Sequence, residues 1–262
     1  YGWNALQLSN VSNAWVKNCE FQDWSQVMRV AHSIAVTVQN VVITGKKAHA
    51  SFVTKRSYGL LFKDCEDKTG MHHGPGFGYS GVSTVYLRHK MKNNQRIDAH
   101  SGSPYVSLLD DVTGGGVLSG NGGPGESYPH HARHFVFWNF KHNSGNSSYN
   151  YNFWNTENRN SNTFAEPFFI GFQSGNSTVN FTGKGLDELR GQEAEPKSLF
   201  EAQLNLRFAP TAPSSLVGLH NASQIDLTWD DNSSNEGGFI VERSNSSGTS
   251  WTPIATLGAN VT

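Results

Sequence analysis

The sequence predicts an all-β protein whose residues 1–208 wind into a right-handed parallel β-helix, a single-stranded solenoid, and three observations point there. Charged residues are only 16% while aromatics reach 12% and Gly numbers 27, a balance that suits short strands joined by turns better than long helices. Three segments superimpose: A-W-V-K-N-C-E-F (14–21), V-T-V-Q-N-V-V-I (36–43) and L-L-F-K-D-C-E-D (60–67), with Asn18, Asn40 and Asp64 in one place at intervals of 22 (40 minus 18) and 24 (64 minus 40). That is a solenoid period, and the leucine-rich signature and intervening helix of the other architecture with this repeat length are missing.

Further along the chain the repeat continues through V-Y-L-R-H-K-M-K (85–92), V-S-L-L-D-D-V-T-G-G (106–115), F-V-F-W-N-F-K-H-N (135–143) and P-F-F-I-G-F-Q-S-G (167–175), which makes roughly seven coils. Stacked strands lie about 4.8 Å apart, so Cys19 and Cys65, with Val41 between them on one ladder, are about 10 Å apart and beyond disulfide reach. Two buried free thiols are expected. The end of the solenoid needs a cover against edge pairing. Ser198 and Glu201 form a capping-box pattern after Pro196, and Leu199, Ala202 and Leu206, with Phe200, Leu204 and Phe208, recur at helical spacing. This predicts a short amphipathic helix over about 199–207, lying against the last coils or sealing the end. A-P-T-A-P then reads as a linker over 209–213, and from Ser214 to residue 262 the texture changes to a second, partial β domain.

Lys+Arg 20 against Asp+Glu 21 leaves a net charge of -1, so nothing global steers the chain toward nucleic acid or a membrane surface. No apolar run is long enough to span a bilayer, and no signal peptide opens the chain. It starts in mid-pattern without Met, so a piece of a longer protein, monomeric, is expected.

Four polar clusters read as loops between the strands: 47–59, 70–81, 95–105 and 123–135. Inter-coil insertions are where solenoids carry function. His100 is either a groove base or acid, or a loop histidine bonded to a nearby Asp. Asp98 and Asp110 are either a carboxylate pair or turn residues. His72, His73, His89, His130, His131 and His134 are dense, yet no metal-ligand spacing appears among them, so no metal ligand set is assigned and no cofactor is expected, a bound calcium ion being left open. G-P-G-F-G (74–78) departs from the phosphate-loop pattern and reads as a turn.

Two resemblances add to this. The strings I-D-L-T-W, N-E-G-G-F-I-V-E-R-S and W-T-P-I-A-T-L, with Trp229 as core residue, resemble the N-terminal half of a fibronectin type III domain over 214–262. Asp98, His100, Pro104 and Tyr105, then Asp110 with Gly114 and Gly115, then His130, His131, Trp138 and Asn139, resemble a family of secreted bacterial β-helix proteins in the pectate-lyase-like superfamily. Related proteins carry H-R-Q-W before a G-L-L strand where this chain has T-K-R-S-Y-G-L-L, so Lys55 replaces the His and Arg56 matches. The resemblance implies secreted, extracellular work on a polysaccharide substrate. The leading expectation is a lyase that cleaves an anionic, uronate-containing glycan by β-elimination, which needs a cation, a base and an acid. His100 is the expected base, with Asp98 in the same motif; Arg96 or Arg56 is the cation, and Tyr105 or one of His130 and His131 the acid. His72, His73, Tyr79 and Tyr128 are expected against the sugar. A glycoside hydrolase using Asp98 with Asp110 or Asp111, and a non-catalytic glycan-binding or adhesive solenoid, are the alternatives.

Overall fold

The computed structural model describes residues 3–93, 95–100, 102–119, 131–143, 145, 147–153, 163–245 and 247–261. It is all-β, 56% strand with one short helix, and its main body is a parallel β-solenoid of about five turns. Strands are numbered in chain order. One six-stranded sheet takes β1 (Asn4–Ser9), β3 (Gln26–Ala31), β5 (Ala50–Lys55), β8 (His73–Gly78), β10 (Arg96–His100) and β12 (Gly116–Ser119), paired in that order. A ten-stranded sheet takes β2 (Ser12–Gln22), β4 (Ile34–Thr44), β6 (Tyr58–Lys63), β9 (Val82–Leu87), β11 (Tyr105–Asp110), β13 (His131–Trp138), β16 (Phe168–Ile170) and β18 (Asp187–Glu188), with β7 (Glu66–Asp67) on β4 and β15 (Thr163–Ala165) on β13. A third, two-stranded parallel sheet joins β14 (Ser148–Asn152) to β17 (Thr178–Thr182).

Every repeat segment found in the sequence falls in or alongside the ten-stranded sheet. The period exists because Asn18, Asn40 and Asp64 share one left-handed corner, with φ of 56°, 52° and 55°, continued by Arg88, Asp111 and Asn139. Asn and Asp tolerate that conformation better than other residues with a Cβ. Asn40 Nδ2 also donates to Asn18 Oδ1 at 3.0 Å, joining neighbouring coils. Inside the corner, Val38, Phe62, Tyr86, Leu109, Phe137 and Phe169 stand in register and are at most 1% exposed. The rings stack, Phe62 on Tyr86 and Phe137 on Phe169, each at 4.6 Å. The buried Tyr86 hydroxyl is satisfied by the N–H and C=O of Gly76 across the interior, both at 3.1 Å.

Several expectations are corrected. About five turns form, not seven coils, because long insertions separate the later repeats and among the described residues the six-stranded sheet stops at β12. Three of the clusters read as loops contain strands β5, β8 and β10 of the six-stranded sheet, and the fourth ends in β13. The G-P-G-F-G run is part of β8, not a turn: a Cβ on Gly76 would stand 2.3 Å from the Phe52 carbonyl oxygen, so glycine there serves close packing of backbones. Cys19 pairs with Val41 as expected and both thiols are free, but only Cys65 is buried. Burial pushes the Cys65 thiol up to about 12.

The chain divides into two compact units, 1–200 and 201–262, so the division precedes the expected linker at 209–213. The cap helix forms as α1 (Leu199–Phe208), yet none of its residues is buried: Leu206 is 80% exposed and Phe208 63%. The segment before it is fastened to the side of the solenoid, at the ends of β11 and β13. Asn139 Nδ2 donates to the carbonyls of Ala194 and Lys197 and its Oδ1 accepts from Ala194 N–H, while Trp138 Nε1 donates to Pro196 O. Ser198 Oγ and Phe200 N–H both donate to Asp110 Oδ2 at 2.8 Å. In the second unit β19 (Ser214–Asn221) pairs antiparallel with β20 (Gln224–Asp230), and β21 (Phe239–Ser244) with β22 (Trp251–Leu257), as two separate hairpins whose Trp229 and Phe239 rings lie 5.4 Å apart.

Candidate functional site

A groove of about 260 Å3 runs across the outer face of the six-stranded sheet. Strand alternation builds it. In β3 Met28 and Val30 are fully buried while Arg29 between them is half-exposed and lines the groove. In β10 Ile97 and Ala99 face the core, which turns Arg96 and Asp98 to the other side. The register Arg29–Val53–Gly76–Asp98 runs through β3, β5, β8 and β10, so one residue from each of four successive strands contributes to the floor.

Along one edge, where the strands begin, stand aromatic rings. Trp3, 59% exposed, lies 5.1 Å from His49, His49 lies 4.8 Å from His73, and His72 lies 4.5 Å from His73. His73 Nδ1 is 3.1 Å from Asp98 Oδ2, an ion-pair distance without the in-line geometry of a hydrogen bond. Asp98 is 6% exposed, so this carboxylate acts on the imidazole through little solvent. At the opposite edge Tyr79 lines the groove and the Lys55 ammonium sits 4.8 Å from its ring centroid. Asp98 is the one carboxylate lining the groove among the described residues.

Of the site residues expected from the sequence, the fold brings Asp98, His73 and Tyr79 into this groove, with His72 against His73. Arg96 lies on the same face of β10 as Asp98, two residues earlier. Arg56 is an exposed corner residue, φ 45°, after β5. Tyr105 sits elsewhere, on the ten-stranded sheet in register with Val82 and, beyond it, Tyr58. His100 and His131 are placed as backbone positions of β10 and β13, and their side chains lie outside the described residues, as do Tyr128 and His130 altogether. Asp110 is held by the cap segment. Burial pushes its carboxyl above the ordinary value while the Phe200 and Ser198 donors pull it back. Asp111 pairs with Lys141 at 2.7 Å. His89 is fully buried in the solenoid interior beside Phe52 and Tyr86, and burial lowers it to about 4. Among the described residues no three His, Cys, Asp or Glu side chains converge as a metal site.

Sequence reasoning missed Arg29, His49 and Trp3. The period itself carried the signal: His49 stands 24 residues before His73 and Trp3 a further 46 before that, one and then two coils back.

Comparison with known families gives one result. A profile described as Domain of unknown function (DUF4955) matches residues 70–237, which is 168 (237 minus 70, plus 1) of the 262 residues. The chain belongs to this family. No curated protein and no solved structure matches it. The DUF4955 match contains His72, His73, Tyr79 and Asp98, and the cap-holding residues Asp110, Trp138 and Asn139. Trp3, Arg29 and His49, the other half of the groove, precede it.

Proposed function

We propose that this DUF4955 chain is a secreted, carbohydrate-active β-helix enzyme of the pectate-lyase-like kind, cleaving a uronate-containing polysaccharide by β-elimination in the groove of the six-stranded sheet. The observation that carries the reading is the His73–Asp98 contact in a groove with no second lining carboxylate among the described residues. A hydrolase needs two carboxyl groups flanking the scissile bond. A lyase needs a base, and a histidine beside a buried carboxylate is suited to be one, because the carboxylate stabilises the imidazolium that forms. His73 takes the proton from C5 of the uronate. The C–H electron pair forms the C4=C5 double bond, the C4–O bond breaks, and its electrons leave on the glycosidic oxygen, which takes a proton from solvent in the open groove. The rings of Trp3 and His49 offer faces for flanking sugars to stack on. Residues 214–262 are read in the same spirit as the first strands of a fibronectin type III module, since the two hairpins have the antiparallel pairing its early strands require.

The test is a panel of uronate-containing and neutral polysaccharides incubated with the chain, following ultraviolet absorbance of unsaturated ends together with new reducing ends. Unsaturated product is expected; reducing ends alone would make the protein a hydrolase, and retention without product a glycan binder. His73→Ala should lower turnover by about 100-fold or more at unchanged melting temperature. Turnover lost in His100→Ala but kept in His73→Ala would sink the assignment of the base.

A further inference from the structure

Arg29 is the unexplained charge of the groove. Its Nε is buried with no hydrogen-bond partner, and no carboxylate among the described residues pairs with its guanidinium. Arg29 as a whole is half-exposed, but a buried Nε left without an acceptor is costly, so a position that keeps one is suited to an anion supplied from the open groove. The register places Arg29 about 10 Å from Gly76 of β8 and about 14 Å from Asp98 of β10 at 4.8 Å per strand, with His73 three residues before Gly76.

We propose that Arg29 is a carboxylate-reading subsite for a sugar flanking the one that reacts, with the glycan lying across the strands, along the solenoid axis, from Trp3 toward Asp98. The planar guanidinium matches a carboxylate with two parallel N–H···O bonds, whereas a neutral hydroxymethyl group in the same place leaves it unpaired. This rests on the groove being the glycan site, but not on the elimination chemistry. Arg29 acts on affinity; it does not touch the reacting atoms.

The experiment is affinity electrophoresis of the full chain through gels containing polygalacturonate, alginate, hyaluronan or chondroitin, each beside its carboxyl-reduced form, with dextran sulfate as the sulfate arm. The chain should be retarded by at least one carboxylated polymer and not by its carboxyl-reduced form or by dextran sulfate. Arg29→Gln should weaken that retardation at least tenfold and Arg29→Lys by less, because the ammonium keeps the charge but loses the fork. Arg29→Met serves in the same role should Arg29→Gln fail to fold. Retardation by none of the four polymers, equal retardation by a reduced form, preference for dextran sulfate, or wild-type retardation of Arg29→Gln each overturns the proposal. Selective retardation without unsaturated product would remove the lyase reading and leave this one standing. Turnover with unchanged retardation in Arg29→Gln would do the reverse.

Discussion

At the scale of single residues, the same amino-acid types divide between work on the outside of the solenoid and work within it, and burial decides which. His73 borders an open groove, whereas His89 is enclosed by Phe52 and Tyr86 and held neutral. The sign of the pH effect follows. Between the ordinary histidine value of 6.5 and the folded value of about 4, the unfolded chain binds a proton at this position that the folded chain does not, so stability falls as pH falls through that window. The loss is on the order of 3 kcal/mol at its full extent. His89→Phe, which keeps a ring in the same enclosure, should flatten the decline of melting temperature between pH 6.5 and 4. His142, also lowered to about 4 by burial, supplies the decline that remains. An unaltered acid limb in His89→Phe would mean that His89 is not the group being titrated. Asp98, Asp110 and Asp111 divide in the same manner: one faces the groove, one anchors the cap segment, one pairs with Lys141. Asp98 lies in a polar motif and Asp110 and Asp111 end the apolar run that follows it, but which face each meets is set by strands far away in the chain.

Individual strands and corners are where the repeat has its physical content. Asn40 occupies a left-handed corner at φ 52°, and Asn40→Val should cost about 1–2 kcal/mol, since a β-branched side chain clashes in that conformation, while Asn40→Gly should be close to neutral. Equal losses for both would show that the Asn18–Asn40 side-chain bond, not the corner conformation, is what matters. The cap segment offers a second case. Asp110→Ala deletes the acceptor of Ser198 Oγ and Phe200 N–H and should destabilise the solenoid by about 1–3 kcal/mol, with proteolysis near residues 194–200 accelerated. If Asp110 were instead a reacting carboxylate, turnover would vanish while the melting temperature stayed put. Here helical spacing after Ser198 pointed to an amphipathic helix against the last coils or sealing the end, whereas what is fastened to the solenoid is the segment 194–200, caught on Asp110, Trp138 and Asn139 by contacts that span 55 to 90 residues. Nothing local in Asn139 announces them.

For the molecule as a whole, the division at residues 200 and 201 separates a solenoid with a continuous apolar core from a unit whose strands are almost wholly exposed. A chain of residues 1–212 should therefore unfold as cooperatively as the full chain and with nearly the same midpoint, measured by circular dichroism in urea. A broadened transition or a large drop in midpoint would show that residues 213–262 contribute to the solenoid's stability.

The sequence alone determined the all-β class, the parallel solenoid, the 22–24-residue register with Cys19 opposite Val41, and Asp98, His73 and Tyr79 as residues of interest, because these depend on patterns repeated along the chain. It missed that the polar clusters are strands: in a sheet whose outer face is wet, alternation with Gly, His and Arg looks like a loop until the inward residues Ile97, Ala99 and Phe77 are seen packed on the core. Only the tertiary structure brought Trp3, Arg29, His49, His73 and Asp98 into one groove and left Tyr105 on another sheet. The physical reason is that stacking coils places residues from successive turns about 4.8 Å apart however the sequence between them reads, and that spacing decides which side chains meet.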